Sequence, residues 1–161
     1  MKALVAGLGD RLMGDDGFGS FLVEELTKKE LPPEVEVIDY GTSVTKLLVD
    51  LENYDLVVLL DAISKGGRPG TVYKERIRLE DIRDLSAEEF NLMAGISYHG
   101  INLVSLLEVA KALGVLKGKV IIFGAEPDNI GLRIGLSQTM GKALQRVVEE
   151  VLRTLEDERQ P

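Results

Sequence analysis

The sequence predicts an α/β fold of three layers (α/β/α), with a twisted, mostly parallel sheet of about five strands, one antiparallel edge strand and helices on both faces. Three observations carry that expectation. Short apolar runs alternate with segments whose apolar residues recur at helical spacing, the rhythm of strand–helix–strand crossovers. The runs LVVLL at 56–60 and VIIF at 120–123 are too continuous to leave one face wet, as expected of parallel strands covered on both sides. A single segment, TVYKERIRL at 71–79, alternates instead and reads as a half-exposed edge strand.

In chain order, Ala3 to Ala6 makes the first buried strand, and Phe18, Leu22, Val23 and Leu26 give the first helix its apolar face. Val35 to Tyr40 is the second strand. Ser43 can cap a second helix whose apolar face is Val44, Leu47, Leu48 and Leu51. After strand 56–60 comes turn material, GGRPG at 66–70. On the edge strand, Tyr73, Ile77 and Leu79 share one face, and Lys74, Arg76 and Arg78 share the other. That basic face suits either guidance of a partner or simple solvation of an edge. Residues 80–99 have weak periodicity and are expected to form a long loop with a short helix, and loops of that length are often functional. Ile101, Val104, Leu107 and Ala110 restore the helical period. Strand 120–123 follows, and Ser137 can cap a last helix bearing Met140, Leu144, Val147, Val151 and Leu155.

At 161 residues the chain is expected to be one domain, residues 1–155, with a flexible tail at 156–161. The net charge of −8 argues against nucleic acid as a partner, because phosphate backbones demand Lys and Arg. The absence of Cys excludes disulfides, thiol catalysis and thiolate metal sites, and fits a reducing compartment. The start, MKALVAGLGD, carries an apolar run broken by Asp10 and reads as a strand, not a signal peptide. No apolar run approaches the roughly 18 residues of a membrane helix. A cytoplasmic location without membrane insertion is the expectation.

In parallel α/β sheets, sites lie beyond the carboxyl ends of the strands near the switch in strand order. Gly7 to Asp16, Asp39 and Asp61 fall there. The loop GLGDRLMGDDGFG at 7–19 has the look of a phosphate loop, but the third glycine of a dinucleotide fingerprint would be residue 12, which is Leu, and no Gly-Lys-Ser/Thr ending is present. Charge is the stronger objection. Asp10, Asp15 and Asp16 stand against one Arg11. At about 4 Å and an effective dielectric near 20, each like-charge contact costs roughly 4 kcal/mol. A helix N-terminus returns only about 0.5–1 kcal/mol. One of Asp15 and Asp16 is expected to cap the helix start, which leaves the other to face the cleft.

Asp61 ends a buried strand, where an acid must find a partner or an open cleft. His99, the only histidine, ends the irregular segment in SYHG, just before a helix whose N-terminus disfavours imidazolium. Two carboxylates and a neutral imidazole form a mixed O,O,N ligand set suited to zinc, nickel or ferrous iron, provided the fold gathers them. A metal-free acid–base pair of Asp16 and Asp61 is the rival chemistry. No G-x-S-x-G elbow and no H-E-x-x-H occur.

The loop at 7–19 resembles the N-terminal signature of the nickel–iron hydrogenase maturation endopeptidases. The likeness extends through DYGTS at 39–43, LLDAIS at 59–64, SYHG, GAEPDNI and IGLS at 134–137. Asp10 stands where that family usually has Asn, and Asp16 where many members have Glu. The resemblance implies a twisted sheet covered on both faces. It implies metal-contacting and catalytic positions at Asp16, Asp61 and His99. It also implies removal of a C-terminal extension from the hydrogenase large-subunit precursor, with nickel presented by that substrate and no organic cofactor. Alternatives are a non-catalytic metal-handling assembly chaperone, which would leave the precursor's mass unchanged, and a nucleotide-binding α/β protein.

Overall fold

A computed structural model describes residues 1–94 and 102–161. Five strands form one sheet: β1 (Ala3–Leu8), β2 (Val35–Gly41), β3 (Leu56–Ala62), β4 (Val72–Ile77) and β5 (Lys119–Ala125). Their spatial order is β2-β1-β3-β5-β4. β1 pairs in parallel with both β2 and β3, β3 pairs in parallel with β5, and β4 runs antiparallel to β5 at the edge. The helices are α1 (Phe18–Leu26), α2 (Val44–Asp50), α3 (Ala87–Ala94), α4 (Leu103–Ala112) and α5 (Gln138–Arg159). The expected α/β architecture, edge strand included, is what the chain adopts.

Alternation along the central strands sends side chains into two cores. Leu4, Ala6, Val57, Leu59, Val120 and Ile122 pack with α2 and α4 on one face. Ala3, Val5, Leu56, Val58, Leu60, Ile121 and Phe123 pack with α1 and α5 on the other. β1, β3 and β5 are therefore buried on both sides, which is why their sequences lack a polar alternation.

Between β1 and β3 the strand order reverses: one crossover leads outward to β2, and the next returns past β1 to β3. The crevice at a sheet's carboxyl edge opens at such a point.

Local differences from expectation have local causes. Ser43 sits at the N-cap of α2 but makes no side-chain capping bond, whereas Ser137 accepts the Met140 N–H at 3.3 Å. α4 is capped instead by Asn102, which accepts the Ser105 N–H at 2.9 Å. Val104, expected on the core face of that helix, is 65% exposed. The basic face of β4 is not free for a partner. Lys74 donates to Thr154 Oγ1 at 2.9 Å, and Arg76 pairs with Glu158. That pairing extends α5 beyond Leu155 to Arg159, through residues expected as a tail, because Glu158 also holds Lys119 at 3.0 Å and Arg159 holds Glu34 at 2.7 Å. Among the described residues no helix is long and apolar enough to cross a membrane.

Candidate active site

The glycine loop after β1 is built for close main-chain contact. Gly9 has φ +123°, and a Cβ there would lie 1.8 Å from the Asp16 carbonyl oxygen and 3.6 Å from Asp61 Oδ1. Gly19, in the first turn of α1, lets the helix settle onto the sheet: a Cβ would lie 2.2 Å from the Leu60 carbonyl and 2.3 Å from that of Leu8. The glycines thus admit backbone, not phosphate, and they bring the turn Gly14–Gly17 against the end of β3.

The two adjacent acids of that turn have opposite fates. Asp15 is fully buried. Its Oδ1 accepts the Ser137 N–H at 2.7 Å, and its Oδ2 accepts the Asn129 N–H at 2.8 Å, the Ser137 hydroxyl at 2.8 Å and the Asp128 N–H at 3.0 Å. Burial pushes this carboxyl up, but those four donors outweigh it and hold it below the ordinary carboxylate range. Neither acid caps α1, whose N-cap is Gly17 with no side-chain bond. Asp15 ties down the β5–α5 loop instead. That loop also bonds the glycine loop directly, through Gly14 N–H to Arg133 O at 2.8 Å and Arg133 N–H to Leu12 O at 2.9 Å.

Asp15→Ala is expected to lower stability by about 3 kcal/mol or more, since each orphaned buried donor costs about 1–3 kcal/mol. The native carboxyl is depressed, so its stabilisation is present above the unfolded pKa and is lost as pH falls through the folded one. Chemical denaturation across pH would therefore show a shallower acid limb in the variant, and equal slopes would refute the assignment.

Asp16 turns the other way. Its Oδ2 accepts the Asp10 N–H at 2.9 Å, and its side chain lines a cleft of about 510 Å³ together with Asp61. Asp61 is the penultimate residue of β3, and its Oδ1 accepts the Ala62 N–H at 2.8 Å. Burial first, then the Asp16 charge, push the Asp61 carboxyl well above the ordinary range, against the smaller opposing pull of the Ala62 N–H. Ile63 to Lys65 wall the cleft on one side, and Asn102 to Val104 at the start of α4 wall it on another.

Two of the three expected site residues therefore meet. His99 lies outside the described residues. Among the described residues no three His, Cys, Asp or Glu side chains assemble as a metal cluster.

The other charged candidates are otherwise engaged. Asp39 Oδ1 accepts from the Ser20 hydroxyl at 2.7 Å and the Gly41 N–H at 2.9 Å. Arg11 pairs with Glu24 at 3.0 Å and lies 3.7 Å from Asp39, with its guanidinium 4.6 Å from the Phe21 ring centre. Asp10 accepts the Leu12 N–H at 2.9 Å, closing its own turn. A further acid at the cleft's edge is Glu126, buried just beyond β5, which accepts the Lys65 N–H at 2.8 Å and the Tyr73 hydroxyl at 3.2 Å. It braces the loop that walls the cleft. The strand-end rule that singled out Asp61 applies equally to the acid after VIIFGA.

A doubly wound sheet whose switch point presents paired carboxylates, one of them held above its ordinary pKa, is a scaffold whose carboxylate pair can carry acid–base chemistry. Comparison with known proteins makes this specific. The family model described as "Hydrogenase maturation protease" matches residues 21–154. The hydrogenase 2 maturation protease of Escherichia coli K12 is 31% identical over 159 residues, which cover 98% of this chain and 92% of that one. The crystal structure of a hydrogenase 2 maturation peptidase from a Thaumarchaeota archaeon is 35% identical, with TM-score 0.73, covering 96% and 98% of the two chains. The hydrogenase maturating endopeptidase of E. coli superposes with TM-score 0.75 at 29% identity, covering 99% and 94%. The chain belongs to the hydrogenase maturation protease family. It is an endopeptidase, a hydrolase, and family membership decides against the non-catalytic and nucleotide-binding alternatives.

Proposed function

We propose that this endopeptidase removes a C-terminal extension from the nickel-loaded large-subunit precursor of a nickel–iron hydrogenase, with Asp16, Asp61 and His99 contacting the nickel that the substrate presents. The supporting observation is the convergence of Asp16 and Asp61 on one cleft while the neighbouring Asp15 is turned away and fully bonded. His99 precedes Asn102 by three positions, and Asn102 lines the same cleft. An O,O,N set without thiolate leaves coordination positions for a substrate-held ion.

A second reading of the same residues is favoured by the raised Asp61 carboxyl. In it, Asp16 takes a proton from water while the water oxygen bonds the scissile carbonyl carbon. Asp61 gives its proton to the departing amine nitrogen as the C–N bond breaks, and nickel serves recognition. In either case the protein's task is to hold the scissile bond against the pair, and such positioning contributes several orders of magnitude.

The test is mass spectrometry of nickel-loaded precursor incubated with the protein and with His99→Ala and Asp16→Asn. Both variants should keep native circular dichroism and lose about 10²-fold or more in rate. Normal trimming by both variants would remove these residues from the site.

A further inference from the structure

The β5–α5 loop displays Ile130, Leu132 and Ile134 at 49%, 88% and 78% exposure, and Leu12 of the adjoining β1–α1 loop is 55% exposed. Leu132 and Ile134 are the two most exposed large hydrophobic side chains among the described residues. These side chains do not hold the loop in place. Its shape comes from the main-chain bridge between Met13 and Arg133, from the Asp15 N–H bonded to Asn129 O at 2.9 Å, and from the Asp15 carboxylate. A polar loop would serve that framework equally well with less apolar surface in water. Aliphatic side chains on a main chain ordered in advance are the arrangement of a binding surface, because little freedom remains to be lost on association.

Position identifies the occupant. The bridge at Met13 leads directly into the turn Gly14–Gly17, and Asp16 of that turn lines the cleft. The patch is therefore continuous with the place where the substrate is cut. A cleft with two carboxylates offers little basis for choosing one protein among many, so selection needs contacts beyond the cut. The net charge of −8 opposes an acidic partner over the surface at large, whereas this loop sets its aliphatic side chains beside exposed Arg133 and Asp128, one charge of each sign, and opposes neither.

We infer that Leu12, Ile130, Leu132 and Ile134 form the docking surface for the body of the large-subunit precursor, an apolar patch of which covers them while its C-terminal segment enters the cleft. This rests on the function proposed above.

The test measures processing of nickel-loaded precursor over a range of precursor concentrations, with the unaltered protein and with the double variant Leu132→Gln/Ile134→Gln. Both side chains face solvent, so the thermal midpoint should not move. KM should rise about tenfold or more while kcat stays within about twofold, the signature of lost uniform binding. An unchanged KM overturns the docking surface and leaves the proposed function standing. Failure of the unaltered protein to cut the precursor overturns both. Sedimentation that shows a dimer of the unaltered protein and a monomer of the variant would make a second copy the occupant, and would equally overturn the inference.

Discussion

Asp61→Asn is expected to yield a more stable and inactive protein. Burial and the neighbouring Asp16 raise the native Asp61 carboxyl above its unfolded value. A group shifted in that direction contributes stability that is present below the unfolded pKa and is lost as pH rises through the folded one. At neutral pH folding therefore carries a strain at this residue, whether the carboxyl takes up a proton or keeps its charge beside Asp16. An amide of the same shape removes that strain and keeps its oxygen in reach of the Ala62 N–H. The thermal midpoint of Asp61→Asn should exceed that of the unaltered protein at pH 7, and the two should converge near pH 4 and below, where both side chains are neutral. Precursor processing should fall by about 10²–10⁴-fold, the usual contribution of a proton-transferring side chain. A variant that is both less stable at pH 7 and fully active would contradict the electrostatic reading and the role together. Stability sacrificed at the reacting groups is a recurrent feature of enzyme sites.

The second large effect is expected at Gly9, where substitution should damage fold and site at once. A methyl group at this residue would meet the Asp16 carbonyl oxygen at 1.8 Å. The obstacle is main chain, so no side chain can rotate out of the way. The φ of +123° is also one that L-residues rarely adopt. Strained backbone contributes about 1–3 kcal/mol and overpacking about 1–3 kcal/mol, so Gly9→Ala should cost about 2–6 kcal/mol. Because the displaced atom belongs to Asp16, precursor cleavage should disappear even at temperatures where the variant remains folded. Urea denaturation checks the first part and a cleavage assay at low temperature the second. A variant within about 1 kcal/mol of the original would mean that the loop has more room than the geometry allows.

The sheet was legible in the sequence because its signal is local. Runs such as LVVLL can only be buried on two faces, and the alternation of TVYKERIRL can only suit an edge. Asp61 was legible for the same reason: a carboxylate closing an apolar run has few places to go. Asp15 and Asp16 could not be told apart, because no property of two adjacent identical residues separates them. What separates them is a set of amide donors at residues 128, 129 and 137, more than a hundred positions away in sequence. The extension of α5 past Leu155 was hidden likewise, since it depends on Arg76 and Lys119 reaching Glu158. Val104 fits a helical stripe, yet the stripe borders the cleft at its first turn, and periodicity does not report which end of a helix meets a cavity. The candidate site is thus readable as a set of residue types and strand ends, while its geometry is a long-range property.

The bond from Ser137 to Asp15 spans 122 positions, and β5, fifth in chain order, inserts between β3 and β4. A nascent chain that has emerged only as far as β4 possesses both cleft carboxylates but neither the strand beside Asp61 nor the donors that orient the turn bearing Asp16. The cleft consequently takes its final shape only after residue 137 has left the ribosome, so that growing polypeptides nearby meet a fold whose carboxylate pair is not yet in place.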